Sequence, residues 1–181
     1  RNRMNKKNNQ FSLNEKAINT FVSISHQQGH DKINFNYNKK LSVNDIWNVS
    51  MHSADLENKE ILNKILSNKN YSKIFYNFFK KQSELHMPQS IAASSNIKNR
   101  KANDFEIHLN QSNKDHEIIY LKIIVKKKID KTLKNLYVGK DNNFESIDLP
   151  KIIDKQAQIM IKKSDKIYQM VVDPDTEIFI R

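Results

Sequence analysis

The segment Ser-His-Gln-Gln-Gly-His at residues 25–30 contains the two histidines whose spacing best suits a metal site. On a helix, side chains four positions apart lie on one face and could bind the same zinc ion. The apolar repeat of the preceding residues stops at Ile24, however, and Gly29 stands where a left-handed residue closes a helix. His26 is then expected in the last helical turn and His30 beyond it. The segment predicts a helix end, and we expect neither a metal nor another cofactor.

Three alternating carboxylates near the end of the chain are similar to the first ligands of a calcium loop. They belong to Asp173, Asp175 and Glu177. The central glycine and the distant bidentate glutamate of such a loop are missing, and Pro174 stiffens the segment. These residues therefore predict a plain turn.

A second carboxylate group, Asp104 with Asp115 and Glu117, is similar to the magnesium ligands of nucleases. Ile119 occupies the position at which such a site needs a lysine. Cysteine is absent and glycine occurs twice, which excludes cysteine nucleophiles and glycine-rich phosphate loops. The sequence favours a protein without enzymatic activity. An active site formed by distant residues stays open, and a pocket that joined a histidine to carboxylates would favour it.

Basic side chains form two groups that could contact a protein partner or the phosphates of a nucleic acid. The first group is Lys98, Arg100 and Lys101, in a polar connector. The second group surrounds the cluster Lys126–Lys134 and consists of Lys122, Lys126, Lys127, Lys128, Lys131 and Lys134. The alternative is a solvated strand edge that resists aggregation, because consecutive lysines are common there and arginines are missing.

The net charge of +11 is partly a matter of composition. The 181 residues include 27 Lys, 24 Asn and 23 Ile but only four Arg, a bias typical of an A/T-rich genome. The charge is also unevenly distributed, since residues 1–103 carry 17 basic and 7 acidic side chains and residues 104–181 carry 14 and 13. Part of the excess lies in residues 1–10, which we expect to be a basic disordered tail.

Residues 11–88 are predicted to form a helical subdomain. Ser12 with Glu15, and Ser42 with Asp45, are capping signals for two helix starts. Two more helices are expected at residues 54–66 and 71–84, from apolar residues at helical spacing. The aromatic stripe Phe75, Phe78 and Phe79 is expected in the core. Residues 89–103 are interpreted as a linker.

From Asp104 the apolar period changes from helical to two, which predicts an antiparallel β subdomain over residues 104–181. Its five strands are expected at residues 105–110, 117–127, 156–163, 166–172 and 177–181. Short turns at 163–166 and 173–176 favour antiparallel neighbours. Strand 117–127 is apolar on both faces, so we expect the helical half or another subunit to cover it.

The sequence therefore predicts an α+β protein, with a helical N-terminal half followed by an antiparallel sheet of about five strands. No apolar run is long enough to cross a bilayer, and we expect a cytoplasmic protein unless an address preceded Arg1. The expected function is a non-enzymatic binding or assembly module that acts through protein–protein contacts, by self-association or as an adaptor. The alternative is nucleic-acid binding through the basic tail, the linker and the Lys126–Lys134 cluster.

Overall fold

The computed structural model describes residues 40–52, 59–89 and 98–181. The predicted basic tail, the helix end at His26 and His30, and most of the predicted linker lie outside these residues. The α+β class is confirmed within the described part, where helices precede and follow antiparallel strands.

Three described helices come before the sheets, and side chains cap the starts of the first and the third. They are α1 (Val43–Met51), α2 (Lys59–Ser67) and α3 (Lys69–Gln82). The predicted capping box is confirmed, because the Ser42 hydroxyl accepts from the Asp45 amide and the Asp45 carboxylate accepts from the Ser42 amide. Asn68 caps α3 by accepting from the amides of Asn70 and Tyr71. No described helix has the length and apolar character needed to span a membrane.

The described strands number eight, where the sequence predicts about five, and they form two antiparallel sheets. The first sheet has the order β1-β8-β5-β6 and the second sheet β2-β3-β4-β7. The strands are β1 (Leu85–Met87), β2 (Asn99–Lys101), β3 (Phe105–Gln111), β4 (Ile118–Val125), β5 (Asn135–Lys140), β6 (Asn143–Asp148), β7 (Gln156–Lys162) and β8 (Glu177–Ile180).

The prediction of a strand at residues 166–172 is wrong. These residues form helix α4 (Lys166–Val172), in which Ile167, Met170 and Val171 are buried at helical spacing. Helices are therefore not confined to the N-terminal half. The predicted pairing of 166–172 with the strand on either side of it is therefore also wrong, and β7 and β8 belong to different sheets.

The aromatic stripe of α3 joins the helices to the first sheet. Phe75, Phe78 and Phe79 are fully buried, which confirms the predicted core position. The Phe79 ring meets those of Tyr137 on β5 and Phe179 on β8, at centroid distances of 4.9 and 5.1 Å. Edge-to-face contacts of this kind stabilise beyond the burial of apolar area. The outer face of the first sheet is thus covered by α3.

Arg181 links α1 to α3 and the first sheet. Its guanidinium donates to the carbonyls of Ser50 and Met51 at the end of α1, and to the side chain of Gln82. The guanidinium also lies 3.7 Å from the Phe79 ring centroid. Burial lowers its pKa to about 10, so it remains charged at neutral pH. A cation at a helix C-terminus balances the carbonyl groups that have no helical partner.

A second hydrophobic cluster lies between the two sheets and includes α4. Every second residue of β4 is buried in it, namely Ile119, Leu121, Ile123 and Val125. The residues between them are half-buried and face away from the cluster, on the outer side of the second sheet.

Gly139 permits the closest approach between α3 and β5. A Cβ at this position would lie 2.6 Å from Cε1 of Tyr76 and 3.1 Å from Cδ2 of Phe144. The Tyr76 ring cannot easily move, because it also stacks on Phe179. We expect Gly139→Ala to lower the free energy of unfolding by about 1–3 kcal/mol, measured by urea denaturation. In a Tyr76→Ala background the same substitution should cost much less, and an equal cost in both backgrounds would contradict the clash.

A lysine-lined candidate binding site

The basic residues of the predicted connector do not form one surface. Lys98 and Lys101 are exposed at β2, whereas Arg100 between them is only 4% exposed. The Arg100 guanidinium donates to backbone carbonyls of Pro88, Val171, Asp173 and Thr176. Burial lowers the pKa of Arg100 and the nearby Asp173 opposes that change. Arg100 therefore holds distant segments together inside the protein.

Lys122 and Lys126 also lie apart from the other lysines of their group. Lys122 is half-buried on the outer side of the second sheet. The ammonium of Lys126 lies 2.7 Å from Glu106, which also accepts a hydrogen bond from His108. The contacts with Lys126 and then His108 lower the pKa of Glu106 to about 2, so its carboxylate is charged at neutral pH. Lys126 is thereby neutralised.

The four remaining predicted lysines come together in a basin beside the end of β4. They are Lys127, Lys128, Lys131 and Lys134, and they share its lining with Lys151 and Lys155, which the sequence does not single out. The cavity volume is about 810 Å³. The lining comes from two segments, residues 127–135 and 148–155, together with Val125. We call this cavity the basin.

Backbone hydrogen bonds fix the two segments of the basin. The amides of Lys126 and Lys127 donate to the carbonyl of Asp104, which turns the chain at the end of β4. The Leu149 amide donates to the Lys134 carbonyl and joins the segments directly. The buried side chains of Leu133 and Leu149 anchor them to the core. Because the backbone is held in this way, the lysines are presented by an ordered frame.

The Asp154–Lys155 turn brings Lys155 to the basin in a left-handed conformation. The φ angles of Asp154 and Lys155 are 48° and 64°. Ile153 and Gln156 on either side exchange both backbone hydrogen bonds, as in a two-residue hairpin of type I′. The Lys155 carbonyl also accepts from the Val125 amide. Glycine would fit position 155 better, since a left-handed residue with a Cβ costs about 1 kcal/mol.

Lys155→Gly is accordingly expected to raise the free energy of unfolding by about 0.5–1 kcal/mol and to weaken anion binding about threefold. Lys155→Gln is the matched control, because it removes the charge and keeps the Cβ. It should weaken binding similarly and leave stability nearly unchanged. Urea denaturation measures the change in stability, and titration with a glutamate-rich peptide measures the change in anion binding. A loss of stability in Lys155→Gly would contradict the strained conformation.

The basin carries an excess of positive charge that the described residues neutralise only in part. Its lining holds six lysines and one aspartate, a net charge of five positive. The Lys131 ammonium lies 2.6 Å from Glu84, and that of Lys128 lies 3.9 Å from Asp130. Of the six basin lysines, the four that form no ion pair with a described carboxylate are Lys127, Lys134, Lys151 and Lys155. Crowded like charges create a positive potential that attracts anions.

The floor of the basin is aliphatic. It is made of Val125, Ile129, Leu133, Leu149 and Ile152. Val125, Leu133 and Leu149 are buried in the core, whereas Ile129 and Ile152 are half-buried. Among the described residues, no arginine or aromatic side chain lines the basin. It can therefore bind carboxylate or phosphate groups at its rim and apolar groups at its floor.

Two of the described histidines each lie beside a glutamate, and the two pairs belong to different sheets. His86 lies 2.7 Å from Glu177 in the first sheet, and His108 lies 3.0 Å from Glu106 in the second sheet. Glu177 lines a separate cleft of about 450 Å³, but His86 does not. Among the described residues, no group of three His, Asp or Glu side chains is arranged to hold a metal ion.

Two of the three alternating carboxylates at residues 173–177 bind a lysine. The Lys140 ammonium lies 2.7 Å from Asp173 and 3.2 Å from Asp175. Partial burial opposes ionisation of Asp173, but the hydrogen bonds from Lys140 and the Asp175 amide hold the pKa of Asp173 below its usual value. The Lys140 ammonium thus takes the place beside these two carboxylates that a metal cation would need. Asp173 to Thr176 form the predicted turn.

Comparison of the chain with protein-family models, with curated proteins and with solved structures gives no match. The function must therefore be inferred from the chemistry of the basin itself. Its two parts, a lysine rim and an aliphatic floor, define the class of ligand that it can accommodate.

Proposed function

We propose that the protein is a non-enzymatic binding module that docks an acidic protein partner in the basin. The observation that carries this proposal is the set of four lysine ammonium groups without an ion-pair partner in the described chain, arranged around an aliphatic floor. Complementary charge speeds the encounter and selects the partner, and burial of apolar groups adds affinity. The proposed location is the cytoplasm.

An adaptor role fits the basin better than self-association does. The chain has a net charge of +11, so two copies that met at their basins would bring like charges together. An acidic partner removes that repulsion instead.

Nucleic-acid binding is the second candidate, and the same lysines favour it. Lysine ammonium groups suffice for sequence-independent contacts with phosphates. In the described part of the chain, the lining has no aromatic side chain on which a base could stack, and no arginine to read a base edge. A nucleic acid would thus use the rim and leave the floor uncovered.

Fluorescence anisotropy with three labelled probes tests the proposal. The probes are a peptide of alternating glutamate and leucine blocks, a single-stranded DNA and a double-stranded DNA, all compared at several salt concentrations. We expect saturable binding of the peptide that weakens with salt but persists at physiological ionic strength. Tighter binding of either DNA, with the steep salt dependence of phosphate contacts, would favour the second candidate. Failure to bind any probe at low salt would contradict both.

A further inference from the structure

The aliphatic floor determines which kind of acidic partner the basin can select. Ile129 and Ile152 are half-buried at the floor, and the next residue, Ile153, is 64% exposed. Beneath them, Val125, Leu133 and Leu149 continue into the hydrophobic core. An exposed apolar patch with a polar rim is typical of a surface that binds another molecule.

The size of the basin matches this interpretation. A volume of about 810 Å³ lies within the range of about 300–1,000 Å³ that is typical of ligand sites. Because the cavity is wider than a single ion needs, phosphate or carboxylate groups alone would occupy its rim and leave the isoleucines in water. An occupant with aliphatic side chains removes that apolar surface from water.

The positions of the unpaired lysines define the charge pattern of the occupant. Lys127 and Lys134 belong to one lining segment, and Lys151 and Lys155 belong to the other. Both lining segments therefore contribute positive charge beside the aliphatic residues. A complementary ligand carries carboxylates next to an apolar stripe, which is the pattern of an acidic amphipathic helix with leucines at intervals of three and four residues.

We propose that the basin recognises an acidic amphipathic peptide segment, with aliphatic side chains on Ile129 and Ile152 and carboxylates at Lys127, Lys134, Lys151 and Lys155. This inference rests on the proposed function and adds the requirement for apolar side chains in the partner.

Two peptides of equal length and charge provide the test. One has glutamates on both sides of a leucine stripe, and in the other every leucine is replaced by serine. We expect the leucine peptide to bind the wild-type protein about tenfold more tightly than the serine peptide. The floor variant I129Q/I152Q should bind both peptides equally, at the affinity of the serine peptide. Met160→Gln, at an exposed apolar residue of β7, is the matched control and should keep the tenfold preference.

The outcomes separate this inference from the proposed function. If wild type binds both peptides equally and the rim variant K127E/K151E/K155E loses both, the basin binds acidic partners but the requirement for apolar side chains is overturned. If the rim variant binds as wild type does, both proposals are overturned. The comparison of the two peptides needs no variant, so it remains decisive if I129Q/I152Q fails to fold.

Discussion

Reversing three charges in the variant K127E/K151E/K155E is expected to weaken binding of the acidic leucine peptide about 100-fold. Each substitution removes an attraction and adds a repulsion at the rim, worth roughly 1 kcal/mol per site at a solvated surface, and tenfold corresponds to about 1.4 kcal/mol. None of these three lysines forms an ion pair with a described carboxylate, so the folded protein loses no such contact. Titration by fluorescence anisotropy measures the effect.

The matched control for this variant is K80E/K114E/K162E. These three lysines are exposed, and the control changes the net charge by the same amount. Lys114 and Lys162 lie near the start of β4, about 20 Å from the basin at its end, since a strand rises about 3.3 Å per residue. The control should retain affinity within about threefold. Equal losses in both variants would show that net charge, and not the basin, determines binding.

Arg100→Met is expected to lower the free energy of unfolding by about 3–4 kcal/mol. The substitution removes the donor to four carbonyls and leaves acceptors from two separate parts of the chain, Pro88 and residues 171–176, without their partner. Each carbonyl that loses its donor becomes a buried polar group without a hydrogen-bond partner, and this lowers the stability of the folded state. Urea denaturation measures the effect.

The controls for Arg100→Met are a substitution of its neighbour, Lys101→Met, and the conservative substitution Arg100→Lys. Lys101→Met, on the same strand but exposed, should change stability by less than about 0.5 kcal/mol. Arg100→Lys should fall between wild type and Arg100→Met, because an ammonium cannot reproduce the planar fork of donors. A similar cost for Arg100→Met and Lys101→Met would contradict the structural role of Arg100.

The sequence predicts those elements whose pattern is local and strong. The Ser42 capping box and the aromatic stripe of α3 are short-range features, and both are confirmed. Strict alternation identifies β3 and β4, and the strands at β7 and β8 are also confirmed. In these segments the side-chain period and the buried face agree, which leaves one interpretation.

Elements with weak local signals are missed or misassigned. Within the seven residues of α4, apolar positions fit a strand period almost as well as a helical one. β5 and β6 are joined by Asp141 and Asn142 without the glycine that usually marks a tight hairpin. The Asp154–Lys155 turn lacks glycine as well. Long-range pairing decides the conformation at all three places.

The candidate site was predictable only in part, for the same reason. Lys127, Lys128, Lys131 and Lys134 are close in sequence and form a visible cluster. Lys151 and Lys155 join them only because β7 pairs with β4 and carries the preceding turn to Val125. Arg100 resembles an exposed residue of a polar connector, and its burial depends on carbonyls up to 76 residues away. No local sequence pattern predicts that Lys151 and Lys155 join the cluster, or that Arg100 is buried.

The most direct test of the basin is an NMR titration of the ¹⁵N-labelled protein with the acidic leucine peptide. We expect saturable amide shift changes concentrated in residues 127–135 and 148–155, with small changes at Tyr120 and Met160 on the outer side of the second sheet. Shift changes concentrated on that outer side, or none at saturating peptide, would contradict binding in the basin.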